Sequence, residues 1–133
     1  MNEIIISDDK TKFPVEKAME LLHGSYWAAN RQPDVMRKSF ENSIVFGAYE
    51  SGTERFVGMA RVITDFATTF YIADVIVDEG YRGNGIGKKL IAAIVNDRRF
   101  SGLFGILVTK DAHGLYEHFG FAKDSERAMT RRV

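Results

Sequence analysis

Most of the residues able to do chemistry lie in or beside one stretch, Val75-Ile-Val-Asp-Glu-Gly-Tyr-Arg-Gly-Asn-Gly-Ile-Gly-Lys-Lys-Leu90. Gly83, Gly85 and Gly87 occupy alternate positions between a β-rich run and an amphipathic helical pattern. A strand, a glycine loop and a helix N-terminus in that order make an anion site. Backbone N–H groups point outward there, and the helix dipole adds roughly half a positive charge. A pyrophosphate needs several such donors converging on one point, so side chains must be absent where backbone meets ligand. Arg82 either contacts phosphate or braces the loop. Lys88 falls in the first helical turn, where a cation opposes the dipole and an anionic ligand would relieve it. Upstream, Asp74 interrupts the apolar run Phe70–Val77. A carboxylate in a half-buried strand is costly unless it is paired or functional. Two readings stand: a base or ammonium-binding group, or a structural ion pair with Arg61. The two-residue period of a strand puts Asp74 on one face with Ile72 and Ile76. Asp65, at the preceding turn, is a second candidate carboxylate.

Two other phosphate loops fail on spelling. The dinucleotide fingerprint G-x-G-x-x-G, begun at Gly83, would need glycine where Lys88 stands. The P-loop G-x-x-x-x-G-K-[ST], ended at Gly87-Lys88, meets Arg82 and Lys89 at its outer positions. What remains is Arg82-Gly-Asn-Gly-Ile-Gly87, or R-x-x-G-x-G.

The elements that must position this loop follow from periodicity. Glu3–Ser7 is a short β-rich run. Pro14 opens a helix over about 14–25 with Val15, Ala18, Met19, Leu21 and Leu22 at helical spacing. Pro33–Glu41 is a second helix. Ser43–Tyr49, Arg55–Thr64 and Phe70–Val77 are strands joined by turns, the last apolar enough for a central strand. Ile86, Leu90, Ile91, Ile94 and Val95 form the stripe of a helix packed on a sheet. Leu103–Val108 is a buried-type strand. Ala112–Phe119 is a short helix with Asp111 as its N-cap and Gly120 as its stop. Phe121–Lys123 and Arg127–Arg132 are read as two final strands. Hairpins first and a βαβ crossover later mean a mixed α/β sheet in a single domain over residues 1–133, not a doubly wound one.

Composition narrows the classes. The chain has 133 residues, and its 18 basic and 18 acidic side chains cancel, so no basic excess suggests nucleic acid. There is no cysteine, hence no disulfide, thiolate metal site or cysteine nucleophile, and the 3 histidines are scattered without metal-ligand spacing. The N-terminus is too acidic for a signal peptide, and no apolar run approaches the ~20 residues of a membrane span. The expectation is a soluble cytoplasmic protein, with no membrane or nucleic-acid partner and no metal.

The loop, the strand before it and a later segment, Asp111-Ala-His-Gly-Leu-Tyr-Glu-His-Phe-Gly-Phe121, resemble the Gcn5-related N-acetyltransferase (GNAT) superfamily. Val77-x4-Arg82-Gly-x-Gly-Ile-Gly has the spacing of that family's acyl-CoA motif, and the later segment resembles its tyrosine-bearing helix ending in Gly-Phe. The likeness runs from about Glu41 onward and is loosest over residues 1–40.

The resemblance implies a GNAT-like, mostly antiparallel twisted sheet of about six to seven strands flanked by about four helices. It implies acetyl-CoA as cosubstrate, held by Arg82, Gly83, Asn84, Gly85, Ile86, Gly87 and Lys88, with its acyl arm along Val75, Ile76 and Val77. The Val75 N–H would polarise the acetyl carbonyl. Tyr116 would be the general acid that protonates the leaving thiolate, with Asp74 or water as base. Trp27 and Arg31, beside Tyr26, would wall the acceptor site together with Asp65. Direct transfer to a primary amine follows, since no cysteine can carry the acetyl group. A short neutral chain favours a small-molecule amine acceptor over a protein N-terminus or lysine. A non-catalytic acyl-CoA sensor or partner subunit is the alternative. The chain would be a monomer or homodimer.

Overall fold

Four side chains of one helix, Ile86, Leu90, Ile91 and Ile94, are at most 1% exposed. They pack against Ala48, Ala60, Val62 and Ile72 on one face of a sheet. The computed structural model describes residues 2–132. Its sheet has five strands in sequential order: β1 (Ile4–Ser7), β2 (Ile44–Glu50), β3 (Arg55–Thr64), β4 (Thr69–Val77) and β5 (Phe104–Leu107). The first four pair antiparallel, and β5 joins β4 parallel through the crossover helix α3 (Ile86–Val95), whose stripe is described above. On the opposite face lie α1 (Val15–His23) and α2 (Pro33–Glu41). Ala18, Met19, Leu22, Met36 and Phe40 bury there against Val45, Tyr49, Phe56, Met59 and Ile76. A short α4 (His113–Glu117) completes four α-helices among the described residues.

The sheet is thus a GNAT-type mixed, mostly antiparallel sheet, one or two strands smaller than expected. The two final strands do not form. Phe121 packs edge-on against Phe70 and Tyr116. Beyond it eight of the twelve residues are charged or polar, and the segment closes a local turn through Ala128 N–H to the Asp124 carbonyl and the Asp124–Arg127 ion pair at 2.7 Å. With little apolar surface to bury, that segment gains little from a ladder.

Two local features of β4 set up the site. Arg61 faces Asp74 across the β3–β4 pair, but Val62 faces Ile72, so Ala73 is an extra residue, a bulge. The bulge breaks the two-residue period. Ile72 therefore joins the core under α3, while Asp74 and Ile76 turn to the α1–α2 side. The expected shared face of Ile72 and Asp74 is corrected accordingly. Second, β5 follows β4 only from Thr69 to Ile72. The Asp78 N–H donates to the Val57 carbonyl of β3 at 2.8 Å. By strand alternation Ile76 also faces β3, and Val75 and Val77 direct their backbone groups to the side that β5 has left.

Candidate active site

The open edge of β4 lies in a cleft of about 530 Å³. Val75, Ile76 and Val77 form one wall, Arg82 and Gly87 the glycine-loop end, Leu115 and Tyr116 the far wall, and Tyr26, Trp27 and Asp111 are also part of its lining. Each wall has a local origin. The loop turns because Gly83 and Gly85 take φ of +84° and +76°, left-handed values that cost other residues about 1–2 kcal/mol. Gly85 is the N-cap of α3, so the first N–H groups of that helix emerge at the loop, and no acidic side chain stands in its first turn. A Cβ added at Gly83 or Gly85 would meet nothing within 4 Å. The backbone there faces open space, as a phosphate cradle requires.

Arg82 lines the cleft, and its Nε donates to the Val77 carbonyl at 3.2 Å, a contact that braces the loop against β4. Asn84 likewise secures the turn, its side-chain amide donating to the Tyr81 carbonyl at 2.9 Å. Ile86 is buried under the loop as a core anchor.

Tyr116 is only 8% exposed, and burial pushes its hydroxyl up to about 12. No described residue hydrogen-bonds that hydroxyl. It is therefore a protonated phenol in the cleft, across from the β4 edge.

Asp74 is placed differently from a proton acceptor. It is 2% exposed and absent from the cleft wall. Its carboxylate accepts from Trp27 Nε1 at 2.8 Å, Arg31 Nη1 at 3.0 Å and Arg61 Nε at 2.8 Å. Arg61 in turn donates to the Ser43 hydroxyl at 3.1 Å. Burial pushes the Asp74 carboxyl up, but the hydrogen bonds and charges of Arg31 and Arg61 outweigh it and hold it below the ordinary range. A carboxylate so stabilised in its ionised form is a poor base. The geometry corrects the base reading in favour of the ion pair with Arg61. Trp27 and Arg31 are gathered by the same group, so Asp74 pins the α1–α2 connection against β4.

Asp65 lies at the far end of β4, in the β3–β4 turn. The Thr68 hydroxyl donates to it at 2.6 Å and the N–H groups of Thr68, Ala67 and Thr69 at 2.8, 2.9 and 3.2 Å. These bonds hold its carboxyl far below the ordinary range. It closes a turn and does not line the cleft, which corrects its expected substrate role. Asp111 is not the N-cap of α4 either. Ala112 is, and its N–H is satisfied by Thr109 Oγ1 at 3.1 Å. The cleft residues that the sequence did not single out are Gly24, Ser25, Ala112 and Leu115. Gly24-Ser25 did carry a signal, the small polar pair that ends α1, where the Ser25 hydroxyl donates to the Leu22 carbonyl at 2.6 Å and accepts from the Ala28 N–H.

An open strand edge, a glycine turn and a helix N-terminus along one cleft define a site for an extended ligand with an anionic end. Comparison with known proteins gives the family. The model of the acetyltransferase (GNAT) domain matches residues 41–123. A Glycine max protein named histone acetyltransferase TAP1 is 32% identical over 115 residues, 85% of this chain and 46% of its own length. The chloroplastic GCN5-related N-acetyltransferase 2 of Arabidopsis thaliana is 31% identical over 116 residues, 85% of this chain and 45% of its own. The crystal structure of a Xanthomonas campestris protein assigned to the GNAT family superposes with a TM-score of 0.91 at 32% identity, covering 100% of this chain and 95% of that one. The chain belongs to the GNAT acetyltransferase family. It spans about half the length of these curated relatives.

Proposed function

We propose that the chain is an N-acetyltransferase that moves the acetyl group of acetyl-CoA to a primary amine of a small molecule, by direct attack in a ternary complex. The observation that carries this reading is the placement of the Tyr116 phenol across one cleft from the unpaired edge of β4, with the glycine turn at its end. When bound, acetyl-CoA supplies an activated thioester. The backbone N–H groups that open at the N-terminus of α3 suit its pyrophosphate, and the edge groups of Val75 and the N–H of Val77, whose carbonyl already accepts from Arg82, suit the amides of its arm. The Val75 N–H then stabilises charge developing on the acetyl oxygen.

The amine must be neutral to attack, since an alkyl ammonium with pKa about 10 is mostly protonated at neutral pH. Its proton leaves to water in the open cleft, because Asp74 is committed to two arginines. As the new C–N bond forms and the C–S bond breaks, Tyr116 gives its proton to the departing sulfur, and the proton that the nitrogen sheds in becoming an amide returns Tyr116 to its phenol through water in the cleft. The raised pKa of Tyr116 keeps its proton in place at neutral pH.

Free-thiol release from acetyl-CoA, measured across a panel of small amines and N-terminal or lysine peptides, tests the proposal. A small amine should be turned over, and Tyr116→Phe should lower kcat about 10²-fold while acetyl-CoA affinity holds. Unchanged turnover in that variant removes the acid role. The relative named as a histone acetyltransferase supports a protein acceptor as the second reading, and preferential turnover of the peptides would establish it. Binding of acetyl-CoA without thiol release from any acceptor would instead mark a non-catalytic acyl-CoA binder.

A further inference from the structure

We infer that Asp111, with Tyr26 and Trp27, forms the acceptor end of the cleft and selects amines that carry a second positive charge. This rests on the acetyl-transfer reading and narrows its substrate class. Asp111 is the one carboxylate that lines the cleft. It is exposed, makes no hydrogen bond or ion pair among the described residues, and caps nothing, since Ala112 is the N-cap of α4 and that helix has no side-chain cap. Every other acid considered for the site is committed: Asp74 to two arginines and an indole, Asp65 to its own turn.

Tyr26 and Trp27 pack edge-to-face with centroids 5.2 Å apart and remain 62% and 40% exposed. The ring of Tyr26 already attracts an ammonium, since Lys110 Nζ lies 5.5 Å from its centroid. That contact also draws the loop bearing Asp111 against the aromatic pair. With one face of Tyr26 held by Lys110, the exposed indole of Trp27, the remaining surface of Tyr26 and the unpaired carboxylate are the groups that hold a further alkyl cation. The reacting amine must shed its charge before attack, so the cation held here is a second one that persists through the reaction. An aliphatic diamine has that chemistry, whereas a monoamine or an amine bearing a carboxylate lacks it. The neighbouring Trp27 indole is fixed by its bond to Asp74, so the aromatic wall is preformed.

The test compares diaminobutane with butylamine as acceptors, using kcat/KM from thiol release. The wild-type chain should favour the diamine by roughly fivefold to tenfold, the scale of one exposed ion pair plus one cation–π contact. Asp111→Asn should cut the ratio to the roughly twofold to fourfold that the cation–π contact leaves, Asp111→Glu should restore part of the loss, and Tyr26→Leu should lower the ratio with Asp111 intact. A ratio near one in the wild type, or one unmoved in Asp111→Asn, overturns the proposal while leaving acetyl transfer standing. If neither amine is acetylated, calorimetric titration of diaminobutane into the CoA-loaded chain decides. Binding weakened by Asp111→Asn keeps the cation site and rejects the catalytic reading. Binding that is absent, or equal in both chains, rejects the cation site as well.

Discussion

At the residue scale, Asp74 and Tyr116 show how burial takes a titratable group in opposite directions. Tyr116 is buried with no charged partner, so its neutral form is favoured. Asp74 is buried against two guanidinium groups, so its charged form is favoured despite desolvation. The stability that Asp74 supplies is therefore present above its unfolded pKa of about 3.9 and is lost as pH falls through the lower folded value. Asp74→Asn leaves two arginine charges without their counterion and should cost about 2–4 kcal/mol in urea unfolding at neutral pH. The difference from wild type should shrink as the pH is taken below about 4, where the unfolded chain's carboxyl binds a proton that the native one still refuses, and vanish once the native carboxyl is protonated as well. Collapse of kcat with unchanged stability would return Asp74 to the role of base.

At the scale of elements, the glycine turn separates what the fold needs from what a ligand needs. Gly83 and Gly85 are required by their positive φ, whatever binds. Gly87 is not. It lies inside α3 with ordinary helical φ, and a Cβ there would only touch Leu115 Cδ2 at 3.9 Å. Alanine is the better helix former by about 1 kcal/mol. Gly87→Ala should thus hold or raise the thermal midpoint. If Gly87 is there to admit the cosubstrate's pyrophosphate, the same variant should raise the Kd for acetyl-CoA at least roughly tenfold, equivalent to about 1.4 kcal/mol. Equal affinity in isothermal titration would show that only two of the three glycines serve the loop. The bulge at Ala73 works at this scale too. It sends Asp74 to the α1–α2 side and so ties Trp27 and Arg31 to the strand that carries Val75.

At the scale of the whole molecule, the cleft lies among β4, α3, α4 and the segment after α1, elements distant in sequence. A ligand there should stabilise the native state by linkage. At a concentration 100 times its Kd, acetyl-CoA should add about 2.7 kcal/mol. For a domain of this size that is a rise of roughly 5–10 °C in Tm. ATP and NAD lack the pantetheine arm that the β4 edge would pair with and should raise it far less. Equal shifts for all three would mean that only the phosphate end is recognised, and the role of the β4 edge would fall.

The sequence by itself determined the elements and the loop. Helical stripes, strand runs and the Arg82–Gly87 spelling depend on neighbours a few residues away, and those interactions survive in any context that buries one face. Pro33–Glu41 and Arg55–Thr64 form between the residues where periodicity put them. The tertiary structure alone decided which carboxylates are free. The bulge opposite Arg61 overrode the two-residue period at Asp74. The helix that Asp111 was expected to cap has Ala112 as its N-cap and no side-chain cap, and the mostly polar tail after Phe121 left the sheet at five strands. Whether an acid is a base, a clamp or a recognition group depends on the donors that reach it through space. Arg31 and Arg61 come to Asp74 from 43 and 13 residues away along the chain, a distance over which no local pattern extends.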